Sequence, residues 1–102
     1  MRRQDVRMVR VYLTEGQHLM RELVELLHDR ERVRGVTVFR GIAGFGSSGA
    51  LHTTSLVDLS LDLPLVLEFF DTPERVEQVL ATLEEYVEPG HIVVWPAQAT
   101  ID

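Results

Sequence analysis

The residues whose spacing most suggests chemistry are the four glycines of the stretch RGIAGFGSSGALHTTS, at positions 41, 44, 46 and 49. GFGSSG at 44–49 matches the dinucleotide-binding pattern G-x-G-x-x-G. GIAGFGSS at 41–48 approaches the phosphate-binding pattern G-x-x-x-x-G-K-[ST]. In both patterns, backbone N–H groups at the start of a helix hold phosphate oxygens. The stretch therefore raises the hypothesis of a nucleotide phosphate site.

Both patterns fail on their context. The segment ALHTTSLVDLSLDLP that follows has no sustained apolar stripe, and its run TTS at 53–55 forms helices poorly. Ser47 stands where the second pattern requires lysine, and the chain contains no lysine. The sequence instead predicts a long connection between two strands. Two interpretations stay open: Arg40 and the amides beside Gly44 and Gly46 bind an anion, or the glycines only make the connection flexible.

Other reactive side chains do not form a recognisable catalytic or metal site. The four histidines lack the spacing of metal ligands, and there is no cysteine. Ser55, His52 and Asp58 could be read as a hydrolase triad, but they lie too close together on an unstructured stretch to be held in position. We therefore expect no catalytic residue, no metal site and no enzymatic activity.

Composition limits the class of protein. A chain of 102 residues with 45% hydrophobic and 25% charged residues predicts a single folded domain over residues 1–102. A net charge of −6 argues against nucleic-acid binding, since a phosphate backbone would be repelled. No apolar run approaches the ~20 residues that span a bilayer, and the N-terminus lacks a signal-peptide core. We expect a cytoplasmic protein without membrane insertion.

The apolar pattern predicts four strands and two helices. A capping box of Thr14 and Gln17 is expected to open the first helix, which ends before Gly35, and Thr72 is expected to cap the second, which ends at Pro89-Gly90. The strands are predicted at 6–13, 36–39, 65–70 and 91–95.

The order β-α-β-β-α-β predicts an α+β fold: a ferredoxin-like sandwich, with a four-stranded antiparallel sheet and two helices on one face. The third and fourth strands are almost continuously apolar, which is typical of strands buried on both faces. Two helices cover one face only. We therefore expect another copy of the chain to cover the second face.

Three stretches carry a family resemblance. VRVYLTEG near the start, GVTVFRGIAGFGSSGALHTTSLVDLSLDLPLVLEFFDTPERVE in the middle and VEPGHIVVW near the end closely resemble the PII-like proteins catalogued as domain of unknown function 190. The resemblance covers nearly the whole chain. Its most specific parts are RGIAGFG, HTTSL and LSLDLP.

The resemblance implies a PII-like homotrimer whose sheets face inward. PII relatives bind small effectors, often adenine nucleotides, in clefts between subunits, and signal to a partner through a long T-loop. By position, residues 44–62 resemble that loop. The implied ligand is an adenine nucleotide or another small anion, and the implied partner of 44–62 is a membrane transporter or an enzyme. The implied ligand-binding residues, at the base of the loop, are Arg40, Gly41, Gly44, Phe45, Gly46 and His52.

Two departures from PII proteins narrow this expectation. Residues 44–62 contain no tyrosine for nucleotidylation, and no lysine is present to contact nucleotide phosphates. Uridylylation is therefore not expected. The sequence leads to the hypothesis of a regulatory or sensor protein that binds a small anionic ligand between subunits. The alternative is an adaptor that docks on a transporter or enzyme without a ligand.

Overall fold

The computed structural model describes residues 1–14, 18–45, 51–53 and 63–102. A π-helical turn, Leu26–Arg30, directly continues the first helix. In chain order the elements are β1 (Arg3–Thr14), α1 (Leu19–Glu25), β2 (Thr37–Arg40), β3 (Ala43–Phe45), β4 (Leu51–Thr53), β5 (Pro64–Asp71), α2 (Pro73–Leu83) and β6 (Ile92–Thr100).

Four of the strands form one antiparallel sheet in the order β2-β5-β1-β6. With two helices against it, this is the predicted ferredoxin-like arrangement, which the structure confirms. The remaining strands, β3 and β4, pair with each other in a separate two-stranded ladder. This ladder lies within the predicted long connection and was not predicted from the sequence.

The core lies between the helices and one face of the sheet. Alternate residues of β1 and β5 point into it, because successive side chains of a strand face opposite sides. The buried core side chains are Val9, Val11, Leu13, Leu65, Leu67 and Phe69 from the sheet, and Leu23, Leu27, Val76, Val79, Leu83 and Val87 from the helices and the turn after α2.

The start of α1 differs from the prediction. Thr14 is the last residue of β1, and Gln17 lies outside the described residues. The N-cap is His18, in a left-handed conformation with φ 56°, and its side chain makes no capping hydrogen bond. The predicted capping box is therefore wrong, because β1 continues through Thr14 and the helix begins at Leu19. The helical part ends at Arg30, five residues before Gly35.

The second half of the chain follows the prediction more closely. The Thr72 side chain caps α2 by accepting a hydrogen bond from the Arg75 N–H at 3.3 Å, and Pro73 occupies the first helical position. The predicted end of the second helix at Pro89-Gly90 is wrong, because α2 ends at Leu83 and a turn follows it. The last strand is longer than predicted. It continues to Thr100 through Pro96, which an edge strand accommodates because its outer N–H positions need no partner.

Glu31, directly after the first helical segment, connects that segment to α2 through hydrogen bonds. Its carboxylate accepts hydrogen bonds from Arg75 Nη1 at 3.4 Å and from Thr82 Oγ1 at 3.2 Å. A second nitrogen of Arg75, Nη2, donates to the Glu31 carbonyl. The Glu31 side chain is only 13% exposed. These contacts fix the point from which the chain turns towards β2.

We predict that Glu31→Ala lowers the free energy of unfolding by about 1–3 kcal/mol, because it leaves the partly buried Arg75 guanidinium without its carboxylate. Urea denaturation followed by circular dichroism measures the change. Glu77→Ala, an exposed carboxylate on α2, is the matched control and should change stability by no more than about 0.5 kcal/mol. Equal losses of unfolding free energy in the two variants would contradict a stabilising role for the contact between Glu31 and Arg75.

Candidate functional site

The sheet face opposite the helices, here called the open face, has no layer over it among the described residues. The register places alternate residues of all four strands on it, including several large apolar side chains. In one chain Phe39 is 47% exposed, Val93 46%, Tyr12 41% and Phe70 36%. The described part of one chain leaves this face uncovered, as expected from the sequence, and its burial by another copy stays a prediction.

A charged pair lies in the middle of the open face. Arg10 of β1 stands directly opposite Glu68 of β5, and its Nε donates to Glu68 Oε1 at 2.7 Å. The Arg10 guanidinium carbon also lies 5.6 Å from the centroid of the Trp95 ring, which is a cation–π distance. The hydrogen bond to Glu68 raises the pKa of Arg10, with a further contribution from Tyr12, so Arg10 stays charged.

A groove of about 480 Å³ borders this pair at the β2 side of the sheet. It exists because β2 begins at Thr37, opposite Glu68, whereas β5 runs on to Asp71. The chain entering β2 forms the other wall. The lining residues are Met8, Arg34, Gly35, Val36, Thr37, Glu68, Phe69 and Phe70.

The groove combines an apolar floor with a few polar groups, and its volume is within the range of about 300–1,000 Å³ found for small-molecule sites. Met8 and the Phe70 ring offer apolar contact. The Thr37 hydroxyl can donate or accept, and Arg34 brings a positive charge to the rim. Glu68 Oε2 can accept from a ligand donor, since only Oε1 binds Arg10 among the described residues. These groups suit a planar, amine-bearing and partly anionic ligand.

The described residues of the predicted binding site lie elsewhere, towards the other end of β2. Arg40 is the last residue of that strand, and Gly44 of β3 pairs with His52 of β4. Phe45 is placed only through its backbone pairing in β3, and Gly46 lies outside the described residues. Of the described residues in this set, Arg40, Gly41 and Gly44 do not line the groove. The two ends of β2, at Thr37 and Arg40, are three residues apart, or about 10 Å.

The first glycines of the motif have a packing role that the sequence did not reveal. The Gly41 N–H donates to the Pro64 carbonyl at 2.7 Å. A Cβ on Gly41 would lie 2.6 Å from Pro64 Cγ, and one on Gly44 would lie 3.4 Å from the same atom. The chain leaving β2 therefore passes so close to the start of β5 that Gly41 admits no side chain.

Sequence reasoning missed both the groove residues and the charged pair that borders the groove. Arg10 and Glu68 each interrupt an otherwise apolar strand, in MVRVYL and PLVLEFF, and this was the available signal. The sequence did not show that the two stand opposite each other, because register between distant strands is set by the whole sheet.

Neither a membrane-crossing helix nor a metal cluster is found in the described ranges. No helix there is long and apolar enough to span a bilayer. No group of three or more histidine, aspartate or glutamate side chains there is placed to hold a metal ion.

The model of one protein family, DUF190, matches residues 6–99. The chain belongs to DUF190. This family is described as "Uncharacterized ACR". Similar members include a UPF0166 protein of Methanocaldococcus jannaschii, 29% identical over 92 residues that cover 86% of this chain and 84% of the relative. A UPF0166 protein of Aquifex aeolicus is 33% identical over 70 residues, covering 69% and 66% of the two chains.

Solved structures similar to this DUF190 protein include PII-like proteins. CPII from Thiomonas intermedia, a nitrogen regulatory PII-like protein bound to ADP, AMP and bicarbonate, matches with a TM-score of 0.70 and 20% identity, covering 98% of this chain and 91% of CPII. A putative PII-like signaling protein from Thermus thermophilus matches with a TM-score of 0.66 and 20% identity, covering 99% and 93%. The DUF190 chain thus has the PII-like fold.

We predict that Gly41→Ala destabilises the DUF190 protein by about 1–3 kcal/mol, because the new methyl group meets the Pro64 ring. Urea denaturation measures the loss. In the double variant Gly41→Ala/Pro64→Ala the ring is absent, so the two substitutions should cost less together than the sum of each alone. Gly35→Ala, whose Cβ meets nothing within 4 Å, is the control for an ordinary glycine replacement. Strict additivity of the first pair would refute the steric explanation.

Proposed function

We propose that this DUF190 protein is a PII-like regulatory protein that assembles as a homotrimer through its open face. It binds an adenine nucleotide or another small anion at the clefts between subunits. Residues 44–62 carry the bound state to a partner protein, such as a transporter or an enzyme. The observation that carries the proposal is the groove beside Glu68, at the border of an uncovered apolar sheet face.

The open face supports self-association. It holds large apolar side chains from the edge strands β2 and β6 as well as the central strands, so it extends across the whole sheet. Its central charges, Arg10 and Glu68, neutralise each other. A second copy therefore meets an apolar surface without uncompensated charge at its centre, whereas the rest of the chain carries the net charge of −6.

The groove and the end of β2 together support ligand binding. The groove offers apolar contact and Glu68 as an acceptor, and CPII, which shares the fold, is a protein bound to ADP and AMP. Arg40 lies too far along β2 to contact the same end of a ligand within one chain. We propose that Arg40 of one copy lies beside the groove of another copy, at the cleft between subunits, and binds the anionic part of the ligand there.

We predict that the protein in solution has about three times the mass of one chain, measured by light scattering after size exclusion. Phe39→Asp should shift it to a smaller species, because it places a charge on the open face. Val38→Asp is the matched control: it is the neighbouring residue, similarly exposed at 43%, on the opposite side of β2. A wild-type monomer, or dissociation by Val38→Asp but not by Phe39→Asp, would contradict assembly through the open face.

We predict that ADP or AMP binds and raises the melting temperature, and that Arg40→Ala weakens binding about tenfold or more, since a hydrogen bond to a charged group contributes about 1.5–3 kcal/mol. Isothermal titration calorimetry measures the affinity. Arg21→Ala removes the same charge from the exposed surface of α1 and should leave the affinity unchanged.

If neither nucleotide nor bicarbonate binds the wild-type protein, the ligand half of the proposal is lost. The adaptor hypothesis then remains, in which residues 44–62 dock on a partner without a ligand. Capture of the same partner with and without nucleotides would favour that alternative.

A further inference from the structure

Glu68 belongs to two parts of the molecule at once. It is one of the residues that line the groove, and its carboxylate accepts the hydrogen bond from Arg10 on β1. Arg10 in turn lies over the ring of Trp95 on β6. Arg10 on β1 thus contacts both Glu68 on β5 and Trp95 on β6, so side-chain contacts join three strands. Trp95 does not itself line the groove.

We propose that Glu68 and Arg10 transmit occupancy of the groove to Trp95 on the open face. This inference rests on the proposed function, because it requires a ligand in the groove. It goes further by naming the side chains through which a bound ligand changes the surface that we assign to subunit contact.

Glu68 links the groove to Arg10, because it lines the groove and its carboxylate also binds Arg10. Of the described residues lining the groove, it alone carries a negative charge. A ligand amine that donates to Oε2 draws charge from the carboxylate and reorients it, which weakens the hydrogen bond from Arg10 at Oε1. The guanidinium then has two arrangements: held by Glu68 over the indole, or released from Glu68. A ligand that contacts Glu68 in only one of them shifts the balance between the two.

The sheet places Arg10 between Glu68 and Trp95, so a movement of the Glu68 carboxylate can reach the indole through the Arg10 side chain. Arg10 stands directly opposite both Glu68 and Val93, so its side chain is bordered by β5 on one side and β6 on the other. Trp95 lies diagonally across from Arg10, within reach of a long side chain. Its side chain is half-buried and the Arg10 side chain is 40% exposed, which leaves the guanidinium room to move.

The coupling has a consequence for assembly. A guanidinium released from Glu68 is an unpaired charge on the open face, and a covered interface is destabilised by such a charge. Ligand binding in the groove and packing of the open face are therefore linked, and by reciprocity assembly changes the affinity of the groove for its ligand.

Trp95 is the chain's single tryptophan, so its fluorescence reports this site alone. The test is to titrate ADP and AMP into the full-length protein and follow Trp95 emission, excited at the red edge where adenine does not absorb, alongside calorimetry. In the wild type we expect a saturable emission change with the calorimetric midpoint. In Arg10→Met we expect calorimetric binding with the emission response lost. Arg21→Met, the same chemical change on α1, should keep both.

The outcomes separate this inference from the proposed function. If neither nucleotide binds the wild type by calorimetry, the coupling is wrong, because it needs a ligand amine at Glu68. The ligand proposal fails with it only if bicarbonate does not bind either. If the nucleotide binds but Trp95 emission does not change, or if Arg10→Met keeps the full response, the coupling is wrong and the ligand proposal stands. Should Arg10→Met fail to fold by circular dichroism, Arg10→Gln retains a hydrogen-bond donor without the charge and should also lose the response.

Discussion

The alternation of side chains along β1 and β5 is the constraint from which the rest of the structure follows. These two strands lie at the centre of the sheet, and each gives one set of side chains to the helices and the other set to the open face. The helix side is filled by Val11 and Leu67, both fully buried. Since the helices cover only that side, the other set must remain in water or meet another surface.

The Arg10–Glu68 pair makes the open face selective in what can pack against it. A sheet face made only of apolar side chains associates with many surfaces, whereas Arg10 and Glu68 place one ion pair at its centre. Burying an ion pair is costly unless its geometry is good, and here it is, with a 2.7 Å hydrogen bond and a tryptophan ring beside the guanidinium. Such a pair restricts which surfaces can cover the face. It also connects the face to the groove, because Glu68 is part of both.

The first glycines of the glycine-rich stretch have a packing role that their pattern does not suggest. Gly41 and Gly44 lie against Pro64, so at least part of the motif serves to bring the chain past the start of β5 at close range. This packing sets where the chain leaves the main sheet after β2. Arg40 immediately precedes this contact, which places a cation at the base of the segment that we assign to partner recognition.

The sequence by itself determined the order of the two helices and the four strands of the main sheet, the Thr72 cap and the DUF190 resemblance, because these depend on residues close together in the chain. It did not show the β3–β4 ladder. It placed the start of α1 wrongly, since the extension of β1 through Thr14 depends on pairing with β5. It could not show that Arg10 faces Glu68, nor that Gly41 touches Pro64, because both contacts join distant segments through the sheet register. The groove likewise exists only in the tertiary structure. It forms because β2 begins opposite Glu68, so the last residues of β5, up to Asp71, have no β2 partner.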